Sequence, residues 1–249
     1  MKAIFLAAGE GTRLRPLTNT VPKCMVPFNG RPLLFYGLKA MRDAGIENIV
    51  VVRGYLKDKI DFPGVRYIEN LRFLETNMVT TLFCAVDEFN DDLLVSYSDI
   101  VYRSDVVNTL IQAQTEIGVV IDRDWYRLWS LRMEDPIKDA ETLKINRFGN
   151  IVELGKRPKS YEEIEGQYIG LIKFSRNFLP AIKDFYEGLD RNADYEGKNF
   201  DKMYMTTFLQ LLIDAGFTVK AVPINGDWLE FDSIQDLKVY ESEYSQESF

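Results

Sequence analysis

The stretch KAIFLAAGEGTRLRPLTNTVPK, residues 2–23, decides the fold. Lys2 to Ala8 is apolar after its first residue, with no alternation of polar positions. Such a run suits a strand buried on both faces, as in a parallel sheet covered by helices. Gly9-Glu10-Gly11 follows at once, then Arg13, Arg15 and, after Pro22, Lys23. Glycines let a backbone approach an anion closely, and successive N–H groups form a concave nest. The loop has G-x-G but not the third glycine of the dinucleotide fingerprint, and it lacks the Gly-Lys-Ser/Thr of the P-loop. On the glycines alone, a tight turn and a phosphate grip stand level. Arg13 and Lys23 tilt the reading to the grip, because a guanidinium and an ammonium neutralise a polyphosphate and a plain turn needs neither.

Outward from this stretch the pattern repeats as strand, helix, strand. Pro32 opens a helix that Gly45 closes, and NIVVV (48–52) and VRYIE (65–69) read as strands. TNMVTTLFCAVDEF (76–89) reads as a helix, DLLVSYSDIVY (92–102) as a strand ending near Asp99, DVVNTLIQAQTE as a helix and IGVVID as a strand. This order predicts an α/β fold, a Rossmann-like, doubly wound, mostly parallel sheet. After about residue 125 the pattern changes. LKINRFGNIVEL reads as a hairpin turning at Arg147-Phe148-Gly149, QYIGLIKF as a further strand, and RNFLPAIKDFYEGL and FDKMYMTTFLQLLIDAG as helices. TVKAVPI and WLEFD are late strands, SIQDLKVYESEY is a closing helix, and the final SQESF reads as frayed. With no linker or repeat, residues 1–249 are expected to form one domain. Residues 1–122 would be its first half, and residues 123–249 its second, with a small antiparallel subregion and the closing strands and helix.

Composition narrows the chemistry. Thirty basic and 38 acidic residues leave a net charge of −8, which argues against nucleic acid and anionic membrane as partners. No apolar run approaches the length of a membrane span, and two cysteines point to a reducing cytoplasm. A homodimer is compatible with this composition. The chain has no histidine, which removes Ser-His-Asp and Cys-His catalysis and His-ligated zinc. A metal would sit on carboxylates, which favours Mg²⁺.

Open α/β sheets bind ligands beyond the carboxyl ends of their strands, where the first loop, Asp99 and Asp232 all fall. Asp99 in SYSDI could equally be a turn residue. Asp232 in WLEFDSIQDL could N-cap the last helix, as could Ser233, while Asp236 reads as surface or capping.

GEGTRLRPLT followed by VPKCMVPFNGRPL resembles the N-terminal signature of the nucleotidyltransferases that activate sugar 1-phosphates and small phosphorylated alcohols. The resemblance implies a GT-A-like nucleotidyltransferase fold in which Gly9, Gly11 and Thr12 wrap a nucleoside triphosphate. Leu6, Ala7 and Ala8 would line the base, and Arg13 and Lys23 would hold phosphates. It also implies Asp99 and Asp232 as Mg²⁺ ligands. TNMVTTLFCA, LRMEDPIKDAETLKI and EGQYIGLIKFS resemble the CTP-using branch, which includes phosphocholine cytidylyltransferases, and within it the CTP:phosphoglutamine cytidylyltransferases of bacterial capsule phosphoramidate synthesis. CTP would be the co-substrate and a small phosphorylated compound the acceptor.

The resemblance makes residues 1–122 the nucleotide-binding half and 123–249 the acceptor-binding half, and Asn77 stands for a nucleotide or acceptor contact or for a helix start. Gly155-Lys156-Arg157-Pro158 replaces the Glu-Lys-Pro of sugar-1-phosphate enzymes: Lys156 fits an acceptor phosphate, and the missing Glu speaks against a sugar ring. Glu165, Gln167 and Tyr168, with Asn199 and Asp201, are candidates for the ammonium group of an amino-acid-like acceptor. Trp125, Tyr126 and Trp129 would cover that acceptor or pack in the core. Three further readings compete: a sugar-1-phosphate nucleotidyltransferase, a glycosyltransferase and a non-catalytic nucleotide sensor. The middle strand ends Ser98-Asp99-Ile100-Val101, without the Asp-x-Asp usual in glycosyltransferases. A sensor would not need both acidic ligands.

Overall fold

The computed structural model describes residues 1–245 and 248–249. The chain runs β1 (Lys2–Ala7), β2 (Pro27–Phe28), β3 (Arg31–Pro32), α1 (Leu33–Asp43), β4 (Asn48–Arg53) and β5 (Val65–Glu69). It continues through α2 (Met78–Phe83), β6 (Leu93–Tyr97), β7 (Ile100–Tyr102), α3 (Ser104–Gln112), β8 (Ile117–Asp122) and α4 (Trp125–Arg132). The hairpin β9 (Leu143–Ile145) and β10 (Ile151–Leu154) leads to β11 (Gln167–Phe174), α5 (Leu179–Gly188), α6 (Met205–Asp214), β12 (Val219–Ile224), β13 (Trp228–Glu230) and α7 (Ile234–Glu243).

Seven strands form the central sheet in the order β12-β8-β11-β6-β1-β4-β5. All its pairings are parallel except those of β11, which runs antiparallel to both β6 and β8. The continuous apolar run of β1 is explained by its two covered faces. Ala3, Phe5 and Ala7 join a core with Leu34, Leu38 and Met41 of α1, whereas Ile4 and Leu6 join a second core with Val79 and Leu82 of α2 and Phe208 of α6. β11 lies inside the sheet, so the second half of the chain completes the sheet as well as covering its end.

Several boundaries differ from the sequence expectation. The helix expected over 76–89 ends at Phe83, and a separate 3-10 turn takes Val86–Glu88. The helix expected from Phe200 breaks at extended Tyr204 (φ −76°, ψ 155°), which parts a 3-10 turn at Phe200–Lys202 from α6. DLLVSYSDIVY divides at Ser98-Asp99 into β6 and β7, and β7 pairs with β13 outside the main sheet. In the tail expected to fray, the Ser245 N–H donates to Ser248 Oγ at 3.1 Å, and the Phe249 ring lies 5.8 Å from that of Tyr244. Gln246 and Glu247 lie outside the described residues.

Candidate active site

The loop after β1 turns on Gly11, whose φ of +65° is left-handed. A Cβ on Gly11 would stand 2.6 Å from Lys23 Cβ, so this glycine lets the loop close onto the lysine. Lys23 opens a 3-10 turn (Lys23–Met25) after extended Pro22. Its ammonium donates to Asp99 Oδ2 at 2.5 Å and Asp232 Oδ1 at 2.7 Å, and Arg13 Nη2 donates to the same Asp232 oxygen at 2.8 Å.

The two aspartates are 133 positions apart in the chain and meet through a short ladder. Ile100 pairs with Glu230, Val101 with Leu229 and Tyr102 with Trp228. One step on, the Phe231 N–H donates to the Asp99 carbonyl at 3.2 Å. Antiparallel pairing thus sets Asp99 beside Asp232.

The charges shape each other. Burial pulls Lys23 down, but the charges of Asp99 and Asp232 outweigh it and hold the ammonium above the ordinary lysine range. Burial alone would push Asp232 up, yet Lys23, Arg13 and Arg132 keep it ionised and below the usual carboxylate range.

Beneath Asp232 lies Arg132, with a side chain 2% exposed. It reaches Glu230 Oε2 at 3.0 Å, Asp236 Oδ1 at 3.3 Å and Asp232 Oδ2 at 3.5 Å. Glu230 is pushed up to about 7 by burial and the Asp232 charge, against the pull of Arg132. Asp236 is no surface residue: it is 3% exposed, accepts the N–H groups of Asp232 and Ser233, and closes a capping box on α7. Sequence reading missed Arg132 and Glu230, though a signal existed. Arg132 is in helical phase with buried Trp125, Leu128 and Trp129, so a charge falls on an apolar stripe.

This ionic cluster stands between two cavities. One is lined by Leu6, Ala7, Ala8 and Gly9 at the end of β1, with Lys23, Phe73, Thr76, Asn77 and Asp99 among its other walls. Asn77 also N-caps α2, its Oδ1 accepting the Met78 N–H at 3.0 Å. Thr12 begins the next turn, and neither it nor Gly11 lines this cavity.

The second cavity is lined by Arg13 and Asp232 on one side and by Trp129, Asp139, Glu141, Gln167, Tyr168, Gly170, Tyr204 and Glu230 on others; Met78 and Tyr97 border both cavities. A bulge in β11 shapes it. Gly170 sits at φ +88°, where a Cβ would stand 2.6 Å from the Tyr97 ring. The buried Tyr168 hydroxyl has no hydrogen-bond partner. Gln167 clamps the backbone of Glu141, donating to its carbonyl at 2.6 Å and accepting its N–H at 3.0 Å. Desolvation, then Glu196 and Asp139, push the Glu141 carboxyl up to about 7.

Three of the expected acceptor residues stand elsewhere. Glu165 accepts the Ile145 N–H and is exposed, which ties it to the hairpin. Asp201 pairs with Arg72 at 2.5 Å beside α2. Asn199 caps the turn before Met203. Lys156 pairs with Glu153 at 2.9 Å and is half exposed, though its neighbour Gly155 packs on Thr206 of the second cavity's wall. Besides Asp232, the carboxylates that face this cavity, Asp139, Glu141 and Glu230, lie in LRMEDPIKDAE and WLE. Of the aromatic group, Trp125 and Trp129 are buried, Tyr126 is exposed, and Trp129 reaches the cavity.

The donor set suits a hard cation. Two carboxylate oxygens already converge on one positive centre, the Lys23 ammonium. Among the described residues no group of three or more His, Cys, Asp or Glu could hold a metal. Mg²⁺ is held in this way in phosphate enzymes, by one or two carboxylates with substrate phosphates and water completing the shell.

The chain is 48% identical over 250 residues to the CTP:phosphoglutamine cytidylyltransferase of Campylobacter jejuni subsp. jejuni serotype O:2, covering 96% of this chain and 98% of that one. It is 30% identical over 156 residues to the choline-phosphate cytidylyltransferase of Streptococcus pneumoniae, covering 61% of this chain and 67% of the other. The solved CTP:phosphocholine cytidylyltransferase from Streptococcus pneumoniae shares the fold, with a TM-score of 0.74 at 24% identity over 97% of this chain and 98% of that one. The family model for the MobA-like NTP transferase domain matches residues 3–190, a span that holds the glycine loop, Lys23, Asp99 and β11, and the chain belongs to that family.

Proposed function

We propose that this chain is a cytidylyltransferase that transfers CMP from CTP to a small phosphorylated acceptor and releases pyrophosphate, with phosphoglutamine as the first acceptor to test. The product would serve capsule or surface polysaccharide modification. The observation that carries this reading is the cluster of Lys23, Asp99, Asp232 and Arg13 at the border of two cavities, because transfer between two phosphates needs charge where the two substrates meet. The 48% identity over nearly the whole of a CTP:phosphoglutamine cytidylyltransferase supports both substrates.

The cavity at Leu6–Gly9 would take the nucleotide, and the one at Gln167 and Tyr168 the acceptor. An acceptor phosphate oxygen attacks the α-phosphorus of CTP in line. A new P–O bond forms, the bond from the α-phosphorus to the bridging oxygen breaks, and the electron pair leaves with pyrophosphate. The acceptor phosphate is already anionic, so no general base is required, in keeping with a chain that lacks histidine. Gly9 and Gly11 let the loop approach the triphosphate, while Lys23 and Arg13 offset the charge growing on the departing pyrophosphate. Asp99 and Asp232 would hold Mg²⁺, which when bound supplies charge neutralisation between the two reacting phosphates. Lys156, on the turn against Thr206, would meet the acceptor phosphate. Asp139 and Glu141 favour an acceptor bearing an ammonium group, which phosphoglutamine and phosphocholine both do. No helix among the described residues is long and apolar enough to cross a membrane. Both cysteines are free, in keeping with a cytoplasmic enzyme.

The test is a pyrophosphate-release matrix of four nucleoside triphosphates against phosphoglutamine, phosphocholine and sugar 1-phosphates, with Mg²⁺. Release is expected with CTP and an ammonium-bearing acceptor. Turnover only with dTTP or GTP and a sugar 1-phosphate would overturn the reading.

A further inference from the structure

The wall of the first cavity contains a closed chain of hydrogen bonds. Asn70, 2% exposed, accepts the Arg72 N–H on Oδ1 at 3.0 Å, which fixes the other end of its amide as the NH₂. That NH₂ donates to Thr76 Oγ1 at 2.8 Å and Thr81 Oγ1 at 3.0 Å. Each threonine passes its single proton onward to a main-chain carbonyl, Thr76 to Arg72 and Thr81 to Asn77, both at 3.0 Å. Ser98, at the end of β6, donates to the Leu6 carbonyl at 2.7 Å. Thr76, Thr81 and Ser98 all line the cavity. Their protons are committed inward, so these three hydroxyls have only lone pairs left for a ligand. Among nearby donors, the Asn77 N–H goes to Asp201 O at 2.8 Å, the Met78 N–H to Asn77 Oδ1 at 3.0 Å, and one proton of the Asn77 amide to Lys202 O at 3.3 Å.

We propose that Asn70 locks Thr76 and Thr81, together with Ser98, into a wall that only accepts hydrogen bonds, and that this wall selects an aminopyrimidine nucleotide over an oxopyrimidine one. The inference rests on the reading of this cavity as the seat of the base. Cytosine presents its N4 amino group to such a wall. Uracil presents O4, an acceptor against acceptors, and its neighbouring N3–H cannot be turned to the wall without bringing O4 along. Thr76, Thr81 and Ser98 contact the ligand as specificity-determining residues, and Asn70 is a positioning residue that acts through the two threonines.

The experiment compares kcat/KM for CTP, UTP and the triphosphate of the pyrimidin-2-one riboside, which lacks the amino group, in the wild type and in Thr76→Val and Thr81→Val. A buried site built around a hydrogen bond rejects an analogue lacking the group strongly, so the wild type is expected to favour CTP over both others by about 100-fold or more. The valine variants are expected to lower the CTP-to-UTP ratio by about tenfold or more, because each removes one acceptor of the wall. A wild type that uses UTP as well as CTP overturns both the cytosine reading and this inference. A wild type that prefers CTP to UTP yet accepts the pyrimidin-2-one analogue equally overturns the inference alone, as do valine variants that keep the full ratio. The analogue arm needs no substitution, so it decides the matter even where a variant fails to fold.

Discussion

The two cavities share one ionic border and differ in how their polar groups are satisfied. In the first, hydroxyls and N–H groups of the wall are committed to the protein's own carbonyls, through Asn70, Asn77 and Ser98. The second is lined by carboxylates: Asp139 accepts the Trp129 indole N–H, Glu230 pairs with Arg132, and burial with neighbouring acids pushes Glu141 up to about 7. A satisfied wall is rigid and reads one edge of a ligand. A wall of carboxylates offers charge, so under the proposed function its selectivity would follow the charge of the acceptor. If the two cavities take the nucleotide and the acceptor as proposed, base choice and acceptor choice are separable by substitution.

That comparison breaks first at the border the cavities share. Asp99→Asn should lower kcat for pyrophosphate release on the order of 100- to 1,000-fold, since it removes a charge from the reacting centre. If the loss appears equally with every acceptor, the border serves both cavities; a loss confined to one acceptor would assign Asp99 to that side alone.

Next comes the support of the border. Arg132→Met should destabilise the fold by about 3–5 kcal/mol in urea or guanidinium unfolding, because Glu230, Asp232 and Asp236 lose their common cation. Arg132→Lys keeps a charge without the planar fork and should fall between the two.

The acceptor side is then tested by pH. Glu141 ionises near pH 7, so KM for an ammonium-bearing acceptor should fall roughly tenfold between pH 6 and 8, and Glu141→Gln should flatten that profile while KM for CTP stays level. Stability should run the other way. Glu230 has a folded pKa of about 7 against an ordinary 4.5, so the folded chain holds more protons than the unfolded one in that window. Stability from this group is lost as pH rises from about 4.5 to about 7, and denaturation midpoints at about pH 4.5 and pH 8 read it out. The smallest effect belongs to the rim. Lys156→Ala should raise acceptor KM about fivefold or less, as befits a half-exposed ammonium already paired with Glu153.

The nucleotide side was legible in the sequence because its parts are local. β1, the glycine loop and Lys23 occupy the first 23 residues, and the strand-helix alternation that carries them is periodic. The acceptor side was not, because its parts are joined by pairings that no local pattern encodes. β11 enters the sheet antiparallel between β6 and β8, and its bulge at Gly170 aims Tyr168. Glu165 and Asp201 looked right by polarity, yet one serves the hairpin and the other pairs with Arg72. LRMEDPIKDAETLKI carried a resemblance, but nothing in it singles out Asp139 or Glu141, because the segment has no periodic pattern that places side chains and Gln167 fixes Glu141 only through backbone contacts.

The three-residue ladder between β7 and β13 also orders events in time. A ribosome delivers the N-terminal part of a chain first. The loop, Lys23 and Asp99 therefore emerge well before Trp228–Glu230, and the second aspartate comes later still. A nascent chain stalled before residue 228 could form β1, β4 and β6 and hold half of the carboxylate pair, yet no pairing would exist to bring in the rest. The carboxylate pair therefore exists only once Trp228–Glu230 has docked on β7.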